Sequence, residues 1–209
     1  DFLTSFSSAD MAPDHPHIED RSNGWEDVAA TFMAVRSRTG VGAVRAWARS
    51  VRPGGAVLDL GCGSGVPIAE TLLTCGFDVH GVDASPSLVA GFRDRFPHAA
   101  VVCEAVEDST FFNRTFDGVV AIGLLFLLPE STQRDVIRRI AAALRPGGQF
   151  LFTAPAEPCR WTDSLTGRAS QSLGAEAYGE ALAEVGLSVG ATDVDEGGNH
   201  YYAAMRPRG

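Results

Sequence analysis

The segment Val57-Leu58-Asp59-Leu60-Gly61-Cys62-Gly63-Ser64-Gly65 constrains this chain more than any other. It reads as a buried strand that ends near an acid, followed by a turn with glycine at every second position. Such a turn lets the backbone approach a ligand, because no Cβ stands in the way and positive φ costs little. The helix it opens offers free N–H groups and a dipole that favours negative charge. One strand–helix–strand unit later, Val82-Asp83-Ala84-Ser85 places an acid where a carboxylate can hold a ribose diol. A lone glycine cluster is ordinarily a tight strand-to-helix turn. Asp59, the alternating glycines and Asp83 falling in register point instead to a nucleoside-containing cofactor.

Details of the turn narrow the choice. A dinucleotide site of the G-x-G-x-x-G type would carry its third glycine where this chain has Val66; here that glycine is Gly65. A phosphate loop needs a lysine after the glycines, but Pro67 and Ile68 follow, and the chain contains no lysine at all. The D-x-G-x-G-x-G form resembles motif I of the class I S-adenosylmethionine-dependent methyltransferases. The resemblance runs from about Val51 to Arg206: Phe116-Asp117-Gly118-Val119-Val120-Ala121 looks like that family's fourth strand, and Leu144-Arg145-Pro146-Gly147-Gly148-Gln149-Phe150-Leu151 like the turn into its fifth.

That resemblance implies an α/β fold, a Rossmann-like doubly wound seven-stranded sheet, mostly parallel with an antiparallel last strand and preceded by N-terminal helices. It implies S-adenosyl-L-methionine as cofactor, held by Asp59, Gly61, Cys62, Gly63, Asp83 and Ala84, with Ala121 at the end of the fourth strand. The adenine falls to Glu104, Ala105 and Val106, although family members commonly carry Asp where this chain has the longer Glu104. Arg36 ends a helix that members fold over the cofactor; it reads either as a partner for the cofactor's carboxylate or as a surface residue.

Composition sets the frame. At 209 residues, 45% hydrophobic and 21% charged, the chain is expected to be one globular domain. A lead with helices would occupy 1–50, the cofactor core 51–155, and a lid, helix and hairpin 156–209. A net charge of −9 argues against nucleic acid or an anionic membrane as partner. No stretch approaches the roughly 20 apolar residues of a membrane span, and Asp1-Phe2-Leu3-Thr4-Ser5 lacks the basic-then-apolar order of a signal peptide. Cys62, Cys75, Cys103 and Cys159 form no C-x-x-C pair, so neither zinc nor a disulfide framework is expected, and a reducing, cytoplasmic location follows. His15, His17, Glu19 and Asp20 have metal-like composition but lie in a polar lead and read as solvated; no metal is expected.

Apolar spacing predicts helices over 25–36, 41–50, 65–75, 86–95, 131–143 and 174–185. Strands are predicted near 56–60, 77–82, 99–103, 116–122 and 149–154, then a terminal hairpin, 187–194 and 199–205, around Asp195-Glu196-Gly197-Gly198-Asn199. The irregular segment 155–172 leaves the carboxyl end of a central strand and is expected to roof a substrate pocket. Trp161 in that segment, Trp25 and Tyr201 are candidate pocket walls, Trp25 also reading as helix core. His200 and Glu196 are candidates for a base or an orienter, His200 reading equally as a hairpin histidine. The expected acceptor is a small molecule with a nucleophilic N, O or S atom. The alternatives are a non-catalytic cofactor-binding regulatory module and, against Val66, a nicotinamide oxidoreductase.

Overall fold

A computed structural model describes residues 20–209. Its helices are α1 (Ala29–Val35), α2 (Val41–Ala48), α3 (Ile68–Thr74), α4 (Pro86–Arg95), α5 (Glu130–Ala143) and α6 (Ala175–Glu184). Its strands are β1 (Ala56–Leu60), β2 (Asp78–Asp83), β3 (Ala100–Cys103), β4 (Phe116–Ala121), β5 (Leu144–Thr153), β6 (Cys159–Thr162), β7 (Ala169–Ser172), β8 (Ser188–Val194) and β9 (His200–Met205). Seven strands form one sheet in the order β3-β2-β1-β4-β5-β9-β8. Neighbours from β3 to β5 pair in parallel, and β9 runs antiparallel to both β5 and β8. Chain order reverses between β1 and β4, which is where ligands bind at the carboxyl ends of the strands in such sheets.

Burial follows strand parity. All five residues of β1 are buried, as expected of a strand covered on both faces. Leu58 and Leu60 face a core built with Val136, Ile137 and Ile140 of α5 and with Tyr178 and Leu182 of α6. Val57 faces the opposite core, with Val44 and Trp47 of α2, Leu72 of α3 and Phe92 of α4. Phe152 stacks between Phe150 and Tyr202, with ring centroids at 5.0 and 4.8 Å. Helix α4 starts where the sequence says it should: Ser85 Oγ accepts from Leu88 N–H at 3.2 Å, and Pro86 opens the first turn.

Three local expectations change. The first helix begins at Ala29 rather than at 25, because Asp20 accepts from Ser22 N–H and Gly24 N–H and holds the preceding residues in turns. Segment 155–172 is not irregular throughout: β6 and β7 pair antiparallel, from Cys159 opposite Ser172 to Thr162 opposite Ala169. The Arg145-to-Gly148 stretch is looped out of β5, whose register on β4 moves from Phe116–Leu144 to Gly118–Gln149. Gly147 sits there at φ 79°, its N–H donated to Arg206 O. No helix among the described residues is long and apolar enough to cross a membrane.

Candidate active site

A cavity of about 640 Å³ opens at the carboxyl ends of β1, β2, β4 and β5. Its floor is the glycine turn. Gly61 N–H and Cys62 N–H both donate to Val82 O, at 2.8 and 3.1 Å, which folds the turn back onto the end of β2. Gly61, Gly63 and Gly65 have φ of 69°, 54° and 82°, the left-handed region that side chains rarely adopt. A Cβ on Gly65 would stand 2.5 Å from a Phe96 ring carbon, so this third glycine admits the close packing of α4 rather than a ligand.

The two acids differ in what holds them. Asp83 accepts from Gly63 N–H at 2.8 Å and from Ser85 N–H at 2.9 Å, which fixes its carboxylate at the rim of the turn. Burial nevertheless pushes its pKa above the usual carboxylate value. Asp59 is 2% exposed, and its Oδ2 has no hydrogen-bond partner. Burial, reinforced by the nearby Asp83 charge, pushes Asp59 up to about 8, with Arg36 opposing. An orphaned buried carboxylate oxygen facing a cavity marks a missing donor. Trp25 adds a second orphan there, its buried indole N–H.

Of the residues that the sequence assigns to the cofactor, Asp59, Gly61, Cys62, Gly63, Asp83, Ala84, Glu104, Ala105, Val106 and Arg36 all line this one cavity. Ala121 does not: it is fully buried in the α5-side core, and the cavity is reached by the next residues, Ile122, Gly123 and Leu124. Arg36 is held over the Phe32 ring at 5.5 Å, and burial lowers its pKa while Asp59 opposes. Trp25 and Tyr201 line the cavity, and Trp25 packs edge-on to Phe32 at 5.0 Å. Trp161 stands behind the wall, its ring 5.2 Å from the lining residue Phe126.

Neither candidate base lies in the cavity lining. His200 shares a face of β9 with Tyr202, 4.9 Å from its ring, whereas Tyr201 points to the other face. Glu196 is exposed, and its carboxylate accepts from Gly40 N–H at the start of α2. Among the described lining residues there is neither histidine nor lysine. His15, His17 and Glu19 lie outside the described residues, and no metal-holding cluster is present among those described.

Several functional contacts escaped the sequence because they join distant segments. Glu26 closes residues 20–28 over the site: its carboxylate accepts from Ser87 N–H at 3.0 Å, Ser87 Oγ at 2.6 Å and Ser85 Oγ. Arg21 pairs with Asp108, and Asn23 donates to Leu127 O at 3.3 Å. Tyr201 donates its hydroxyl to Asp195 Oδ2 at 3.0 Å, in a space that exists only because Gly40 has no side chain; a Cβ there would lie 2.2 Å from the hydroxyl oxygen.

Comparison with known proteins agrees with this geometry. Residues 57–148 match the protein family described as a methyltransferase domain. This segment, a little under half of the chain, is thus similar to methyltransferase domains. A ubiquinone biosynthesis O-methyltransferase of Xanthomonas campestris pv. campestris (strain B100) is 30% identical over 166 residues, 77% of this chain and 60% of its own length. The cypemycin N-terminal methyltransferase of a Streptomyces species is 38% identical over 119 residues, 54% of this chain and 48% of its own. The chain thus spans about half to three-fifths of the length of these curated relatives. Among solved structures, the glycopeptide N-methyltransferase MtfA complexed with S-adenosyl-L-homocysteine matches the fold at a TM-score of 0.66. That match has 21% identity and covers 87% of this chain and 98% of MtfA. The matched segment contains the glycine turn, Asp83 and the lining residues Leu124 and Phe126 to Pro129, while Trp25, Phe32, Arg36, Thr153 and Tyr201 line the cavity from outside it.

Proposed function

We propose that this chain transfers the methyl group of S-adenosyl-L-methionine to a nucleophilic N, O or S atom of a small molecule. The observation that carries the reading is the convergence, in one cavity, of a side-chain-free turn, the anchored Asp83 and the orphaned Asp59. These residues fit the cofactor. The Asp59 oxygen answers an ammonium, Arg36 a carboxylate, Asp83 a ribose diol, and Ala84, Leu88, Ala105 and Val106 an apolar ring. When bound, the cofactor supplies a methyl group activated on a sulfonium.

The chain's own part is alignment and exclusion of water. Trp25, Phe32, Leu124, Phe126 and Leu127 form an apolar wall on the acceptor side, and the Glu26 clamp holds residues 20–28 across the opening. With no histidine or lysine among the described lining residues, an acceptor that must lose a proton loses it to water or to a carboxylate such as Asp163. The similar proteins include a ubiquinone biosynthesis O-methyltransferase, a cypemycin N-terminal methyltransferase and a glycopeptide N-methyltransferase, which supports acceptors of both the O and N type. The same reading includes residues 1–209 as one unit, no nucleic-acid partner given the charge of −9, and a reducing cytoplasmic setting for four free thiols. The test is transfer of a labelled methyl group to a panel of amines, phenols, carboxylates and thiols. Transfer to at least one, lost in Asp83→Ala, is expected; tight cofactor binding without transfer to any class would turn the reading toward a non-catalytic module.

A further inference from the structure

The loop between β3 and β4 forms the wall opposite Asp83, and one side chain gathers its backbone. Ala105 and Val106 line the cavity as buried residues, followed by a turn in which Asp108 N–H and Ser109 N–H both donate to Ala105 O. The chain then passes through Phe111, Phe112 and Asn113 at φ of 50°, 56° and 51°, consecutive left-handed residues without a glycine among them. That run is strained, because Cβ crowds the following carbonyl in this region. A strained run next to a ligand wall needs an external brace to hold one conformation.

Arg139, on the inner side of α5, meets that need. One of its terminal nitrogens donates to Val106 O and Glu107 O, each at 3.0 Å, and the other to Ser109 O. Its guanidinium lies over the Phe111 ring at 4.7 Å, so it also touches the first strained residue. Among the described residues no carboxylate forms an ion pair with it. Its charge is committed to backbone carbonyls whose dipoles converge and would otherwise repel. A guanidinium has five donors in a fixed plane, whereas a lysine ammonium is a compact point on a flexible stem. Only the former spans these carbonyls and the ring together.

Six positions earlier on the same helix, Gln133 provides a matched contrast. It is fully buried and donates to Leu128 O at 2.8 Å and Gln171 O at 3.1 Å, while accepting from the Tyr178 hydroxyl at 2.6 Å. Its contacts support the opposite end of the cavity, where Leu128 and Pro129 line the acceptor side.

We propose that Arg139 is a positioning residue for the nucleoside end of the cofactor cavity, acting through the Val106–Ser109 carbonyls. This rests on the proposed cofactor reading. The test uses the full chain and S-adenosylhomocysteine as probe, with binding measured by calorimetry and backbone opening by hydrogen exchange. Arg139→Lys, which keeps charge and length, should weaken binding at least tenfold and speed exchange over 104–113. Gln133→Leu removes an equally buried hydrogen-bond hub; it should lower the melting temperature, open 122–129 and 159–172, and leave binding within about twofold of the wild type. Wild-type affinity in Arg139→Lys overturns the proposal, and so does an equal loss in both variants, since that is what a purely structural role gives. Failure of the wild type itself to bind the probe would instead sink the cofactor reading.

Discussion

Cofactor binding should be linked to proton release from Asp59. In the free protein burial holds this carboxyl at about 8, so at pH 6 only about one molecule in a hundred carries the charge that an ammonium needs. Between pH 8.5 and pH 6 the affinity for S-adenosylhomocysteine should then fall by roughly 50- to 100-fold, about 2.5 kcal/mol at one pKa unit per 1.36 kcal/mol. Water entering the cavity reduces the penalty, so a tenfold fall is the order-of-magnitude floor. Asp83, also raised by burial, acts in the same direction. The sign for folding follows from linkage. The folded pKa lies above the unfolded value of 3.8, so this group's contribution is full below about pH 4 and is lost as pH rises to about 8. The melting temperature of the free protein should therefore decline over that window, while the stabilisation given by the ligand grows. Calorimetry from pH 6 to 8.5, in two buffers of different ionisation heat, measures both the affinity and the protons released. Asp59→Asn should remove the proton release and flatten the profile. A wild-type affinity independent of pH, or an unchanged slope in Asp59→Asn, refutes the reasoning.

Asp83→Ala should weaken S-adenosylhomocysteine binding by about 1.5–3 kcal/mol. It should also cost about 1 kcal/mol of stability, because Gly63 N–H and Ser85 N–H lose their acceptor; titration calorimetry and chemical denaturation separate the two effects. Gly65→Ala should destabilise the fold by about 2–4 kcal/mol through its clash with Phe96 and its positive φ, seen as a lower denaturation midpoint at unchanged slope. His200→Ala should leave the pH profile of methyl transfer unaltered, since the ring lies on the Tyr202 side of β9; loss of one limb of that profile would return His200 to the site.

That Asp59, the glycine turn and Asp83 share one cavity was legible because they are close in the sequence. Asp59, the glycines and Asp83 belong to one strand–turn–helix–strand unit, and the register of β1 on β2 brings the glycine turn beside Asp83. The rest of the cavity's surround depends on pairings that no window of sequence contains: Glu26 on Ser85, Trp161 on Phe126, Asp195 on Tyr201 beside Gly40. Strands β6 and β7 escaped because each is only 4 residues long: Cys159-Arg160-Trp161-Thr162 alternates too briefly to stand out, and Ala169-Ser170-Gln171-Ser172 does not alternate. One error was avoidable. Adjacent residues of a strand face opposite ways, so His200 and Tyr201 could not both enter the same cavity. Arg139 left no signal, because an arginine that binds backbone carbonyls looks like any other on a helix.

The most direct test of the central claim is an experimental structure of the chain with S-adenosylhomocysteine. The ribose hydroxyls should lie within hydrogen-bond distance of Asp83, the ammonium beside the orphaned Asp59 oxygen, and the adenine against Ala105 and Val106. A ligand bound elsewhere, or in this cavity with its amino-acid end at Ala105, would contradict the assignment.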